Sequence, residues 1–435
     1  QFYLWQAVRW SIDFRDEVRG KAHLLNERTA TLMLRPRGWH LNERHINIQG
    51  KPMSATLFDT GLFLYLNADS LIAQGSGPYL YLPKIENQHE AAYWADLLDY
   101  LVRYLRLPEG CLKVTILIET ITAAFEMEEI LYALRHYVVG MTAGRGDYLF
   151  SIIKKFRHDP RFLLPDRSQV GRMEPFMTSF AERLVDVCRR RGAAPIGGMS
   201  AFVPSSLDEV NRHAMAEVKA DLERVQQLGF VGTWVTHPAL VPVAHAVFTL
   251  ESSAVHRTTP AEADGNLHNS QRTGPEEEEE TAHDLLRIVE HGPITELGMR
   301  NNIRVGLHYL AHWLAGRGAV PIHNQMEDTA TAELARAQLW QWLRHRVKLD
   351  DGRLCTPELF DTLLHEEIRS LPYALSDKPD ALRQLTLATR LFKQLVISME
   401  FEEFLTLPAY ELMLIDEQGV NKGLKQVSQR TVQSG

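Results

Sequence analysis

The stretch from Lys113 to Phe150 restricts the possible folds more than any other part of the chain. Val114 to Ile118 is a continuous, mostly β-branched run, the pattern of a strand buried on both faces. Glu119 follows it directly, and a charge at the end of such a strand is costly unless it is paired or used. Phe125 to Tyr137 has apolar residues at helical spacing with charges on the opposite face. Val138 to Met141 returns to a strand, and G-R-G-D, Gly144 to Asp147, reads as a glycine-rich turn ending in an aspartate. A fully buried strand, a helix and a second strand form the unit of a parallel α/β sheet or barrel. In a barrel the C-terminal strand ends share one pocket. Glu119 and Asp147, one such unit apart, are therefore candidate ligands for a hard divalent cation such as Mg²⁺.

A length of 435 residues allows one barrel with additions, or two or more domains. Apolar residues make up 45% and charged residues 23%, the balance of an ordinary soluble globular protein. A formal net charge of −8 argues against a general nucleic-acid binder. Cys111, Cys188 and Cys355 form no C-x-x-C pair, which argues against a disulfide framework or a cysteine zinc site and fits a reducing compartment. No apolar run is long enough to span a membrane; the longest candidate, Pro238 to Leu250, is broken by Pro242 and His245. With no signal-peptide pattern and no S-K-L at the end, the expected location is the cytoplasm. The first residue is Gln1 rather than Met, so a trimmed start is expected. Nothing sets an oligomeric state, and a monomer is the working expectation.

Four regions follow from the patterning. Residues 1–28 are mixed and charged and read as a helical lead-in. From 29 to 251 short strands alternate with helices, the βα pattern. Strands are predicted at Thr29–Leu34, Pro78–Pro83, Ala193–Phe202 and Gly232–Pro238, and helices at Ala91–Leu107, Met177–Arg191 and Ser206–Leu228. Asp59–Leu66 is a buried element of either kind. R-P-R-G-W-H-L, from Arg35, makes a rigid basic turn that either bonds surface carboxylates or serves chemistry. K-K-F-R-H-D-P-R-F, from Lys154, reads as a solvated basic connector. Gly197 and Gly198 within a strand suggest close approach of a ligand or another backbone. Residues 252–281 are polar and include five consecutive glutamates, the composition of a linker or insertion. From 282 to 435 the periodicity is helical, at Asp284–Val289, Glu296–Leu314, Thr331–Val347, Pro357–Glu367 and Asp380–Thr406, with a polar tail after Ile415. Within that region Glu327 and Asp328 stand just before a helix. They read either as a plain helix cap or as a carboxylate base presented at the barrel mouth.

Taken together, these segments resemble the malate synthases of the shorter, A type. The resemblance is carried by R-P-R-G-W-H-L at Arg35, Y-L-P-K-I-E at Tyr81, V-T-I-L-I-E-T at Val114, F-E-M-E-E-I-L-Y at Phe125 and G-R-G-D-Y-L-F-S-I-I-K at Gly144. It continues through I-G-G-M-S-A-F-V-P at Ile196, G-T-W-V-T-H-P at Gly232, N-I-R-V-G-L-H-Y-L at Asn302, M-E-D-T-A-T-A-E-L at Met326 and F-L-T-L-P-A-Y at Phe404. The motifs fall in the family's order along nearly the whole chain. They imply an α/β fold, a (β/α)8 TIM barrel followed by an all-helical C-terminal domain that caps the active site. They also imply that a helical segment at the family's N-terminus is absent here.

The implied activity condenses acetyl-CoA with glyoxylate and water to give malate and CoA, the glyoxylate-bypass reaction. By resemblance, Glu119 and Asp147 match the Mg²⁺ ligands, Arg35 the catalytic arginine that stabilises the enolate, and Asp328 the base. The backbone of Gly146 and Asp147 is expected against the glyoxylate carboxylate, and Gly197, Gly198, Trp234 and Pro238 on the CoA side. One position departs from the pattern: the family usually reads G-R-W-D-Y, and Gly146 replaces the tryptophan. A looser loop, a wider pocket or weaker substrate positioning is expected there. The 252–281 stretch is also longer than usual and reads as a surface insertion. Two alternatives stand beside the synthase: a malyl-CoA or citramalyl-CoA lyase, and a weakly active or inactive family member. The long helical region with M-E-D-T-A-T-A-E favours the synthase over the lyase, and joint retention of Arg35, Glu119, Asp147 and Asp328 argues against loss of activity.

Overall fold

The computed structural model describes residues 1–16, 21–27, 29–170, 175–205, 208–249, 283–288, 292–371 and 379–415. The predicted linker at 252–281 and the polar tail after Ile415 lie outside the described residues.

Six parallel strands, hydrogen-bonded in chain order, make the central sheet. They are β1 (Met33–Leu34), β2 (Tyr79–Leu82), β3 (Val114–Ile118), β4 (Val138–Ala143), β5 (Ala194–Ser200) and β6 (Gly232–Val235). Every residue of β3 is buried, as its β-branched run requires of a strand covered on both faces. The sheet is curled. Tyr81 on β2 stacks on Trp234 of β6 with ring centroids 4.5 Å apart, although β3, β4 and β5 lie between those strands in the pairing order. In a flat sheet four strand spacings would hold them about 19 Å apart. The described residues supply six barrel strands where eight are expected.

Helices fill the crossovers: α1 (Ala55–Ala73), α2 (Gln88–Leu105), α3 (Met127–Ala133), α4 (Arg145–Phe156), α5 (Pro175–Arg191) and α6 (Asp208–Gln227), with α7 (Val241–Thr249) after β6. In α2 the Asn87 side chain accepts from the Glu90 N–H at the start, and Ala91, Trp94, Leu98 and Leu101 form the buried stripe. The second domain contains α8 (Glu296–Leu314), α9 (Thr329–Arg344), α10 (Pro357–Ser370) and α11 (Pro379–Ile397), around its own apolar core. Among the described residues no helix is long and apolar enough to cross a membrane.

Several sequence expectations change. The lead-in is helical only over Phe2–Val8, after which Asp13–Asp16 pairs antiparallel with Lys21–Leu24. Asp59–Leu66 belongs to α1. G-R-G-D is not a turn: Gly144 precedes α4 and Asp147 lies in its first turn. Lys154 is no solvated connector. It is buried near the end of α4, over the Phe404 ring at 4.1 Å and 2.5 Å from Glu403. The C-terminal domain is not all-helical, because β7 (Val320–Ile322) and β8 (Gln325–Glu327) form an antiparallel hairpin. His323 and Asn324 turn it with φ of 48° and 59°, as a two-residue hairpin connection demands. Asp380–Thr406 is interrupted: α11 ends at Ile397, and a further helix covers 406–415.

Candidate active site

Adjacent strands bring the two carboxylates together. The Gly144 N–H donates to Ile118 O at 2.8 Å, closing the ends of β3 and β4 onto each other. A Cβ on Gly144 would lie 2.5 Å from the Glu119 Cβ, so only glycine permits this approach. Asp147, in the first turn of α4, points its buried carboxylate at the same spot, with the helix dipole favouring its charge.

Two cations serve the pair. Lys84 follows Pro83 at the end of β2 with φ of 58°, an uncommon conformation for a side chain of this kind. There its N–H donates to Glu119 Oε1 at 2.6 Å. Its Nζ lies 2.7 Å from Asp147 Oδ2 and 3.3 Å from Glu119 Oε1. The Arg35 Nη2 is 3.7 Å from Glu119 Oε2, which is buried and accepts no hydrogen bond among the described residues. Burial pushes Glu119 up to about 8, with Lys84 opposing and Asp147 adding to the rise. Burial acts the same way on Asp147, but Lys84, Glu119 and Arg35 outweigh it and hold this carboxyl below its usual range. Two buried carboxylates, one with an unused oxygen, fit a hard divalent cation. Among the described residues no group of three or more His, Cys, Asp or Glu side chains converges. A cation here would take its remaining ligands from water and substrate, as Mg²⁺ commonly does.

The basic turn divides its two arginines. Arg37 is bound by Asp59 through Nε and Nη2, each at 2.9 Å, and by Glu43 at 3.0 Å, so it anchors the turn to α1. Arg35 is left facing the cavity with 43% of its side chain accessible. Its guanidinium sits 5.8 Å from the centre of the Tyr81 ring, which the Trp234 stack backs.

Asp328 arrives from the other domain and caps α9. Its Oδ1 accepts from the Thr331 N–H at 3.1 Å, while Thr331 Oγ1 accepts from the Asp328 N–H at 2.9 Å, a complete capping box. Burial, then the charge of Asp147, raises its pKa; Arg35 and Lys84 oppose. The barrel itself holds the preceding hairpin. Met326 N–H donates to Ala201 O at 2.7 Å, Val203 N–H donates to Asn324 O at 2.8 Å, and Arg167 pairs with buried Glu327 at 3.0 Å. Arg35, Glu119, Gly146, Asp147, Trp234 and Asp328 all line one cavity of about 970 Å³, large enough for a substantial organic substrate.

Residues 31–272 match the family model described as malate synthase, TIM barrel domain, and residues 293–413 match malate synthase, C-terminal. A malate synthase of Myxococcus xanthus is 44% identical over 414 residues, covering 95% of this chain and 74% of that one. The chain belongs to the malate synthase family. Malate synthase A of Escherichia coli is 39% identical over 413 residues, covering 95% of this chain and 75% of that one. A Dictyostelium discoideum malate synthase is 42% identical over 404 residues, covering 92% and 72%.

Not every residue singled out in this malate synthase sequence reaches the cavity. Gly197 has a packing role, since a Cβ there would lie 2.5 Å from Val225 Cγ1 on α6. A Cβ on Gly198 would lie 2.7 Å from Arg145 Nε. Pro238 opens a short turn capped by His237. None of these three lines the cavity, whereas Trp234 does. Conversely, Lys84, Tyr81 and Arg167 carried no predicted role, and Glu327, read with Asp328 as a cap or a base, is buried in an ion pair with Arg167. Lys84 had one signal, its place directly after a strand and a proline in Y-L-P-K.

Proposed function

We propose how this cavity performs the family's reaction. The chain is an enzyme that converts acetyl-CoA, glyoxylate and water to malate and CoA. One observation carries the assignment of roles: a carboxylate from the second domain and a carboxylate pair with an arginine from the barrel face one cavity.

The methyl of a thioester is a far weaker acid than any carboxylic acid, so the enolate needs stabilisation as it forms. Asp328 takes the methyl proton, and its raised pKa makes it a stronger base than an exposed aspartate. Arg35 donates to the enolate oxygen, suited by a permanent charge and several donors. The Tyr81–Trp234 stack beside it limits where the guanidinium can go. The Gly146 and Asp147 N–H groups, in the first turn of α4, hold the glyoxylate carboxylate. Glu119 and Asp147 would hold Mg²⁺, which when bound supplies Lewis acidity at the aldehyde oxygen. Lys84 offsets the negative charge of the two carboxylates and fixes Glu119 through its N–H.

The test is release of free thiol from acetyl-CoA and glyoxylate, with and without Mg²⁺, in the parent and in Asp328→Asn. Metal-dependent release in the parent alone is expected. Accumulation of malyl-CoA without free CoA would mark a lyase-type chemistry, and metal-independent release would refute the ligand assignment.

A further inference from the structure

Glycines around the C-terminal ends of the barrel strands are of two kinds. At Gly140, Gly144 and Gly197 an added Cβ would lie 2.5 or 2.6 Å from another residue, so packing dictates glycine. Gly146 differs. It sits in the first turn of α4 without a positive φ, in backbone that any residue can adopt, although glycine is a poor helix former. Among the described residues a Cβ built there would meet a single neighbour, the Ala330 Cβ at 3.4 Å, in the first turn of α9. Neither backbone nor packing requires the missing side chain, and the position opens on the cavity.

The space has a definite chemical character. Leu149 lies three residues after Gly146, and Leu334 four after Ala330; both line the same cavity. Helical spacing puts each leucine on the same face as its small partner. This makes a notch with two small residues at its mouth and an apolar floor. It lies between the helix that carries Asp147 and the helix that Asp328 caps, the two groups between which the acceptor must sit. Glyoxylate carries only hydrogen on its reacting carbon and would leave such a notch unfilled.

We infer that the notch takes a short alkyl group on the acceptor, so that the enzyme also condenses acetyl-CoA with 2-oxo acids such as pyruvate and 2-oxobutyrate. This rests on the roles assigned above to Asp147 and Asp328. The bonds balance as for glyoxylate. The acetyl methyl loses a proton to Asp328 and bonds to the keto carbon. The keto oxygen gains a proton and becomes a tertiary alcohol. Water cleaves the thioester, giving CoA thiol and a 2-alkyl-2-hydroxysuccinate.

Thiol release is measured for the full chain with Mg²⁺ and glyoxylate, pyruvate or 2-oxobutyrate, and again in Ala330→Leu and Gly146→Leu, which fill the notch from opposite sides. The readout is the ratio of kcat/KM for 2-oxobutyrate to that for glyoxylate. The parent should turn over all three acids. Filling should lower the ratio on the order of tenfold or more, the usual consequence of losing methylene-sized contacts. Turnover of glyoxylate alone, or a ratio unmoved in both variants, overturns the inference. Absence of turnover with every acceptor, glyoxylate included, overturns the site assignment as well as the inference built on it.

Discussion

Asp328 caps a helix and is assigned as the base, and substitution can separate the two roles. The cap is one hydrogen bond, from the Thr331 N–H to Oδ1 at 3.1 Å, with the reciprocal bond to Thr331 Oγ1. Asparagine caps about as well as aspartate, whereas alanine costs about 1 kcal/mol. A carboxamide cannot accept the methyl proton, and a general base contributes roughly 10²- to 10⁴-fold. Asp328→Asn should therefore lose that factor in kcat while the capping contribution itself changes by no more than about 0.5 kcal/mol. Asp328→Ala should lose the same turnover and about 1 kcal/mol besides.

The pKa direction adds a pH signature. Burial and Asp147 raise Asp328 in the folded protein, so its ionised form is destabilising. The stabilising contribution is complete below the unfolded value of about 3.9 and is lost as pH rises through the higher folded one. Asp328→Asn should thus gain on the parent across that window. Assays are thiol release, exchange of acetyl-CoA methyl protons with D₂O, urea unfolding from pH 4 to 8, and calorimetric binding of glyoxylate with Mg²⁺. Retention of more than about a tenth of parental turnover in Asp328→Asn would refute the base assignment, given the factor expected. Loss of glyoxylate binding in step with turnover would refute the division of labour between the domains.

Glu119, held up to about 8 chiefly by burial, should release a proton when a divalent cation binds at pH 7, with affinity rising as pH approaches that value. Calorimetry in two buffers of different ionisation enthalpy reads this, and equal heats would contradict it. Arg35→Lys keeps the charge but loses the fork; kcat should fall on the order of 10²-fold with the KM for acetyl-CoA little changed, and an unchanged kcat would remove the arginine from the reaction. Gly144→Ala forces a Cβ to within 2.5 Å of the Glu119 Cβ. A loss of about 1–3 kcal/mol is expected, with weaker metal binding, both read from thermal melts with and without Mg²⁺.

What the sequence made legible was local and periodic. The β-branched run of β3 and the Trp94–Leu98–Leu101 stripe of α2 fold as read, because each pattern has one burial solution. G-R-G-D misled because glycine usually breaks helices. Here Gly144 serves the approach to Glu119, while the helical pattern of D-Y-L-F-S-I-I-K already begins beneath it. The β7–β8 hairpin escaped notice since strands of three residues are too short to show alternation. The two arginines of R-P-R are chemically equivalent in sequence; Asp59, on a helix that had no clear type, and Glu43 take Arg37 and leave Arg35 for the cavity. Lys84 carried no periodic signal, for its position depends on a backbone conformation that proline and a strand end impose. The cap that the sequence suggests at Asp328 does not keep it from the cavity: one oxygen caps α9 while the residue lines the cavity.

The two domains do not meet as loosely hinged halves. Helix α4 carries Asp147 in its first turn and leads to the segment Phe162–Pro165; α9 starts at the Asp328 cap. Along its length α9 grips that segment. Gln338 Nε2 donates to Pro165 O at 2.6 Å, Gln341 Nε2 to Phe162 O at 2.9 Å, and Trp342 Nε1 to Leu164 O at 2.9 Å. At the other end, the hairpin backbone bonds Ala201 and Val203. The proposed base is thus registered to the proposed metal ligands at both ends of the helix that it caps. Parting the domains to admit substrate would break these bonds and expose buried donors and acceptors, each costing about 1–3 kcal/mol. On the roles proposed above, acetyl-CoA enters through the cavity mouth, and the separation between proposed base and acceptor is built in before substrate arrives. Such preorganisation is what a reaction limited by a weak carbon acid most needs, because misplacing the base by about 1 Å can cost on the order of 10²-fold in rate.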